Sequence, residues 1–160
     1  MIVVIMGVSG SGKTTIGSLL ANKLGWKFYD ADDFHNGANR NKMSQGIPLA
    51  DEDRSTWLES LRELIQDCAN STTSIVLACS ALKESYRAIM NVNGQVRFVY
   101  LKGTYAQIES RLKNRAGHFM PVKLLKSQFE TLEEPIDTLT AAIELTPEEI
   151  IQIIRKGLAI

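Results

Sequence analysis

The chain has only two cysteines, Cys68 and Cys79, among 160 residues. With no CxxC spacing they offer no redox motif and no disulfide framework, so two buried, reduced thiols in a cytoplasmic protein are expected. Long apolar runs are missing too. The stretch Met1 to Met6 is far shorter than the roughly 18 apolar residues of a membrane-spanning helix. It enters a Gly-rich loop without a basic leader or a small-residue cleavage site, and does not read as a signal peptide. Neither sign of charge is in excess, because Lys plus Arg and Asp plus Glu each number 18. A net charge of zero gives no footprint for nucleic acid or an anionic membrane, although local cations can still face a small anion. Four prolines, 7% aromatics and 44% hydrophobic residues make a globular composition. There are no repeats or linkers, and the length suits one domain, 1–160.

What is present alternates between strand and helix signals from end to end, which predicts an α/β protein with a parallel sheet flanked by helices. Ile2 to Met6 reads as a doubly buried central strand. Further strands are expected at Trp26 to Tyr29, Ser74 to Ala78, Val96 to Leu101 and Ala141 to Leu145, five in all. Helical spacing follows the first strand at Ile16, Leu19, Leu20 and Leu24. Asp51-Glu52-Asp53 opens another helix, acidic at the positive end of its dipole, with Trp57, Leu58, Leu61 and Ile65 on its apolar side. Helices are also expected after the third strand, from Tyr105 to about Arg115, up to about Leu132, and from Pro147. A polar, largely helical region spans about 34–70.

Between the first strand and the first helix lies Gly7-Val8-Ser9-Gly10-Ser11-Gly12-Lys13-Thr14, which fits G-x-x-x-x-G-K-[ST] at every fixed position. Glycines let backbone N–H groups close around phosphate oxygens at a helix N-terminus. The Lys13 ammonium can reach the β and γ phosphates, and the Thr14 hydroxyl can bind Mg²⁺. Gly7, Ser9, Gly10, Ser11, Gly12, Lys13, Thr14 and Thr15 are therefore candidate ATP-binding residues. Two absences narrow the class. The third strand ends in Cys79-Ser80, not in the carboxylate that organises Mg²⁺ in motor and transport ATPases. Asn41-Lys42-Met43-Ser44 lacks the final Asp of a guanine-reading Asn-Lys-x-Asp. Carboxylates gather instead at Asp30, Asp32 and Asp33, where the second strand should end beside the phosphate loop. That pattern favours a kinase for a small hydroxylated acceptor.

These residues resemble the gluconokinase family of small P-loop kinases. The likeness runs through nearly the whole chain. It is carried by Met6 to Thr14, Asp30-Ala-Asp-Asp-Phe-His35, Asn41-Lys-Met-Ser-Gln-Gly-Ile-Pro-Leu49, Asp51-Glu-Asp-Arg54 and Ala78-Cys-Ser-Ala-Leu-Lys83 with Tyr86-Arg87. Later blocks are Glu109 to Arg115, Gly117-His-Phe119 and Gln128 to Pro135. The resemblance implies a P-loop kinase fold of the nucleoside-monophosphate/shikimate kinase type, with a helical substrate-binding region at about 34–70 and a lid at about 115–125. It also implies phosphorylation of the 6-hydroxyl of gluconate by ATP and Mg²⁺, and a homodimer. Met120-Pro121 departs slightly from the family pattern within the lid. Within kinases the rival reading is a shikimate kinase, or a kinase for another small acid, polyol or nucleotide. A non-catalytic ATP-binding switch is the rival of another class.

Roles follow from chemistry and position. Lys13 and Asp32 are the candidate catalytic residues, Asp32 orienting or deprotonating the acceptor hydroxyl. Thr14 is the candidate metal ligand, with Asp30 acting through water. Arg54 is the leading partner for the gluconate carboxylate, since a guanidinium binds both oxygens at once. His35, Lys42, Ser80, Lys83 and Arg87 complete the expected acceptor set. Arg111 and Arg115 share a helix face, and by resemblance Arg111 stacks on adenine while Arg115 swings toward the transferring phosphates. His118 is expected to meet ligand from the lid.

Overall fold

The computed structural model describes residues 1–114 and 122–160. Five strands form one sheet: β1 (Ile2–Met6), β2 (Lys27–Asp30), β3 (Ile75–Ala78), β4 (Val96–Lys102) and β5 (Leu139–Ala142). Their spatial order is β2-β3-β1-β4-β5, and every pairing is parallel. All five carboxyl ends therefore lie along one edge, where open α/β sheets bind ligands. Strand β1 is central and wholly buried, as its continuous apolar run predicts.

Among the described residues seven helices surround the sheet: α1 (Lys13–Leu24), α2 (Gly37–Ser44), α3 (Asp51–Asn70), α4 (Glu84–Met90), α5 (Tyr105–Asn114), α6 (Val122–Thr131) and α7 (Pro147–Leu158). The alternation of side chains along β1 splits the core into two. Ile2, Val4 and Met6 pack with Trp57, Leu61 and Ile65 of α3, while Val3 and Ile5 pack with Ile16 and Leu20 of α1 and Ile150 and Ile154 of α7. The Trp57 indole donates to the Ala31 carbonyl at 2.7 Å, which joins α3 to the chain leaving β2. Helix α7 starts with Pro147 and a reciprocal pair in which Thr146 Oγ1 accepts from Glu149 N and Glu149 accepts from Thr146 N.

The fifth strand starts two residues earlier than its apolar pattern suggested and stops at Ala142. Ile143 N still donates to the Lys102 carbonyl at 2.9 Å, but Leu145 N then turns back to Ala142 O. Residues 143–145 thus leave the sheet edge and head for α7. Strand β2 runs one residue further than expected, so Asp30 is held in register opposite Ala78.

Gly17 shows how tightly α1 lies on the sheet. A Cβ at this position would sit 2.7 Å from Phe28 Cε2 and 3.6 Å from Val76 Cγ1. Helix propensity alone favours Ala over Gly by about 0.5–1 kcal/mol. Here the overlap with the Phe28 ring should reverse the sign, and Gly17→Ala is expected to lose about 1–3 kcal/mol. Urea unfolding checks this, and a stabilised variant would contradict the packing described.

Candidate active site

The chain leaves β1 into the phosphate loop. Gly7 has φ 145°, and a Cβ there would lie 2.8 Å from Ser11 Oγ and 2.9 Å from the Leu101 carbonyl, so only glycine fits. Gly12 takes φ 98° as the N-cap of α1, which aims the first N–H groups of that helix back over the loop. Lys13 Nζ donates to Val8 O at 2.9 Å, folding its ammonium across the loop. Burial lowers its pKa, and the charges of Asp32 and Asp30 partly offset that. The Ser11 hydroxyl is buried inside the loop and has no hydrogen-bond partner among the described residues.

Asp30 links the loop to the next part of the site. One carboxylate oxygen accepts from Thr14 Oγ1 at 2.8 Å and the other from Asp32 N at 3.1 Å. Asp32 opens onto a cavity and is exposed there. Partial loss of solvent around its carboxylate, and after it the charge of Asp30, raises its pKa, while Lys13 draws it down.

Two cavities flank the loop. One of about 430 Å³ is lined by Gly10, Ser11, Gly12, Thr15 and Arg111, with Ile143, Leu145 and Pro147 as an apolar wall. Arg111 is held by a hydrogen bond to the Ile143 carbonyl. A cavity with an apolar wall beside a phosphate loop suits a nucleoside base. The other cavity, about 390 Å³, is lined by Ser9, Lys13, Asp32, His35, Arg40, Arg54, Trp57, Ser80, Ser127 and Gln128, among others. Both are of the size range of small-molecule sites. The phosphate loop contributes to each, so a phosphate bound there is in reach of groups from both sides.

Inside the second cavity His35 stacks on Trp57, with ring centroids 4.6 Å apart and planes 10° from parallel. Its Nδ1 is buried and has no hydrogen-bond partner among the described residues. Burial, followed by the charges of Arg54 and Arg40, depresses its pKa to about 4, so the ring is neutral at physiological pH. Arg54 Nη1 donates to the Tyr86 hydroxyl at 3.1 Å, and the guanidinium lies 5.5 Å from the Tyr86 ring centroid. Tyr86 donates to Asp51, which Lys83 also contacts at 2.8 and 2.9 Å. Among the described residues no carboxylate forms a salt bridge with Arg54. The guanidinium is thus oriented by a tyrosine and left free to meet an anion.

Three of the expected acceptor residues lie outside this cavity lining. Lys42 is paired with Asp53 at 2.7 Å, and Lys83 with Asp51. Both lysines are drawn to carboxylates at the start of α3, whose pKa values they lower. Arg87 turns to the carbonyls of Ala81 and Leu82, at 2.9 and 3.2 Å. There it supports Ala81, a buried residue held at φ 45° between Ser80 and Leu82, both of which line the cavity. Arg115, His118 and most of the expected lid segment lie outside the described residues. Conversely, Arg40 and Gln128 reach the cavity although neither was an expected site residue, Gln128 standing only at the head of a block that carries the family resemblance. Arg40 donates to the carbonyls of His35 and Asp33, which fixes the loop that carries Asp32.

Comparison with known proteins gives a consistent result. A family model described as shikimate kinase matches residues 9–153. A probable gluconokinase of Rattus norvegicus is 49% identical, with the alignment covering 84% of this chain and 83% of the relative. The thermosensitive gluconokinase of Escherichia coli K12 is 52% identical, covering 82% and 71% respectively. The crystal structure of a gluconokinase from Sinorhizobium meliloti 1021 superposes with a TM-score of 0.89 at 40% identity, covering 98% of this chain and 90% of that one.

The state of His35 has a measurable consequence. Folded, its ring stays uncharged down to about pH 4, whereas in the unfolded chain it takes a proton near the ordinary 6.5. Between those values the unfolded state binds more protons, so stability falls as the pH falls. The variant His35→Phe keeps a ring against Trp57 but cannot titrate. Its urea midpoint is expected to drop less between pH 7 and pH 5 than that of the wild type. Equal drops would show that His35 takes a proton as readily in the fold as out of it.

Proposed function

The chain belongs to the gluconokinase family, and we propose that it transfers the γ-phosphoryl group of ATP to the 6-hydroxyl of D-gluconate, giving 6-phosphogluconate and ADP. It is a kinase of the P-loop type with an alcohol group as acceptor. The observation that carries this reading is the second cavity. There Lys13, Asp32 and an unpaired-by-carboxylate Arg54 line one space that adjoins the phosphate loop. The match to a shikimate kinase family model fits a shared fold, while the relatives at about half identity favour gluconate over shikimate.

In this reading ATP lies along α1 with its base in the apolar slot beside Arg111 and its phosphates in the loop. Gluconate enters the second cavity with its carboxylate toward Arg54 and its 6-hydroxyl toward Asp32. The hydroxyl oxygen forms the new P–O bond as the bond to the ADP oxygen breaks, and the hydroxyl proton passes to Asp32. A carboxyl whose pKa is raised accepts a proton more readily than an ordinary aspartate does. Lys13 offsets charge on the transferring oxygens, the main electrostatic requirement of phosphoryl transfer. Neutral His35 and the hydroxyl of Ser80 supply hydrogen bonds to the polyol.

Mg²⁺ fits the same arrangement. Thr14 Oγ1 and the Asp30 carboxylate place hard oxygen donors side by side at the loop, Thr14 to bind directly and Asp30 through water. Among the described residues no cluster of three or more His, Cys, Asp or Glu suits a metal. Mg²⁺ bound by one or two protein oxygens and the phosphates of ATP needs no such cluster, and it would neutralise phosphate charge. A homodimer follows from the family resemblance. A cytoplasmic location agrees with two free, buried thiols, and no helix among the described residues is long and apolar enough to cross a membrane.

ADP release from Mg-ATP, measured with gluconate, shikimate, glycerate, nucleoside monophosphates or no acceptor, tests the reading. Turnover is expected with gluconate. Turnover with a different acceptor alone would overturn the substrate, and ATP binding without turnover on any acceptor would favour a switch. In the same assay Asp32→Asn is expected to lower kcat by about 10²–10⁴-fold with ATP binding intact. A wild-type kcat would remove Asp32 from the transfer step.

A further inference from the structure

Helix α6 reaches the acceptor cavity through Leu124, Ser127 and Gln128, whose spacing of three and four residues puts them on one helical face. Gln128 Oε1 accepts a hydrogen bond from the backbone N–H of Ser9, in the phosphate loop, at 2.6 Å. A backbone N–H can only donate, so the amide atom turned to it has to be the carbonyl oxygen. The orientation of this side chain is therefore fixed by the loop itself. Its NH₂ group points the other way, and among the described residues it has no hydrogen-bond acceptor.

The helix that carries Gln128 is anchored beyond its far end as well. Glu133 N donates to the Leu82 carbonyl at 2.9 Å, and the Glu133 carboxylate accepts from Glu84 N at 2.6 Å. Leu82 lines the same cavity. Gln128 is thus held between the loop that binds phosphate and the wall formed after β3.

We propose that Gln128 is an acceptor-binding residue that also sets the position of the acceptor. Its Oε1 registers α6 against the phosphate loop, and its Nε2 donates to a hydroxyl oxygen of the polyhydroxy acid. A neutral donor suits that task. The cavity already holds the cations Lys13, Arg40 and Arg54, whereas a linear polyol presents several uncharged oxygens that need partners. Because one rigid amide touches both the loop and the acceptor, it fixes the distance between hydroxyl and phosphate, and such alignment is what phosphoryl transfer mainly requires. The inference rests on the reading of this cavity as the gluconate site.

Gln128→Glu separates an acceptor-binding role from simple bracing of the loop. The carboxylate still accepts from Ser9 N–H, but the donor becomes a second acceptor and places negative charge toward an anionic substrate. The expected result is a KM for gluconate raised about 10- to 100-fold, as for a ligand oxygen left without its donor. The Kd for ATP measured without acceptor should rise by a clearly smaller factor than the gluconate KM, because the loop contact itself is kept, and the melting temperature should not change. Gln128→Met, similar in length and unable to hydrogen-bond through an amide, carries the same test if the glutamate variant does not fold. It too should raise the gluconate KM by more than the ATP Kd. A wild-type gluconate KM in the folded variant overturns the proposal. So does an equal weakening of gluconate and ATP, which is the signature of a brace alone. If the wild type turns over another acceptor and not gluconate, the substrate reading fails. The same comparison made on that acceptor then decides the role of Gln128.

Discussion

The carboxylate of Asp30 is the joint on which the site depends. One of its oxygens holds the Thr14 hydroxyl in the first turn of α1, and the other holds the backbone of Asp32. Asp30 can do this because β2 continues far enough to place it opposite Ala78, at the same edge of the sheet where β1 releases the phosphate loop. The parallel order brings those two ends close with only β3 between them. The positions of the first turn of α1 and of the Asp32 backbone are thereby set by one shared side chain rather than by two independent loops.

That closeness is electrostatically expensive and chemically useful. Burial pushes Lys13 and Asp32 toward their neutral forms, and each is partly restored by the charge of the other. As a pair next to Asp30 they remain responsive, so a bound polyphosphate shifts both in the directions that transfer needs. Added negative charge strengthens the ammonium of Lys13 and makes the carboxyl of Asp32 a better proton acceptor.

Much of this was legible in the sequence because it is local. The phosphate loop, its flanking strand and helix, and the aspartates at the end of β2 are contiguous segments whose spacing carries their geometry. The α3 half of the core and the α1 part of the other half followed from apolar periodicity, whereas the α7 residues that complete the second half did not. The residues that the pattern misplaced are long side chains in the right neighbourhood facing the wrong way. Lys42 and Lys83 stand near the cavity in sequence, yet Asp53 and Asp51 lie closer in space and capture them. Those partners are 11 and 32 residues distant, so no local window reveals the competition. Gln128 was missed for the opposite reason. An uncharged amide on an amphipathic helix has no distinguishing spacing, and its partner lies 119 residues away. The bounds of β5 were also off, because an edge strand that leaves the sheet at Ile143 remains apolar after its pairing ends.

The same competition among charges explains how a chain with equal numbers of acidic and basic residues makes a site for two anions. Selectivity does not need a basic protein. It needs cations whose local carboxylates are already engaged. Asp51 is taken by Lys83 and Tyr86, and Asp53 by Lys42 and the backbone of Ala50. Arg54 follows them on α3, three residues after Asp51 and one after Asp53, near enough for its charge to lower the pKa of both. With both carboxylates occupied, it is left to a neutral tyrosine hydroxyl, which orients the guanidinium without cancelling its charge. The lysines that do not reach the cavity therefore contribute to it indirectly, because each one removes a competitor for the arginine that does.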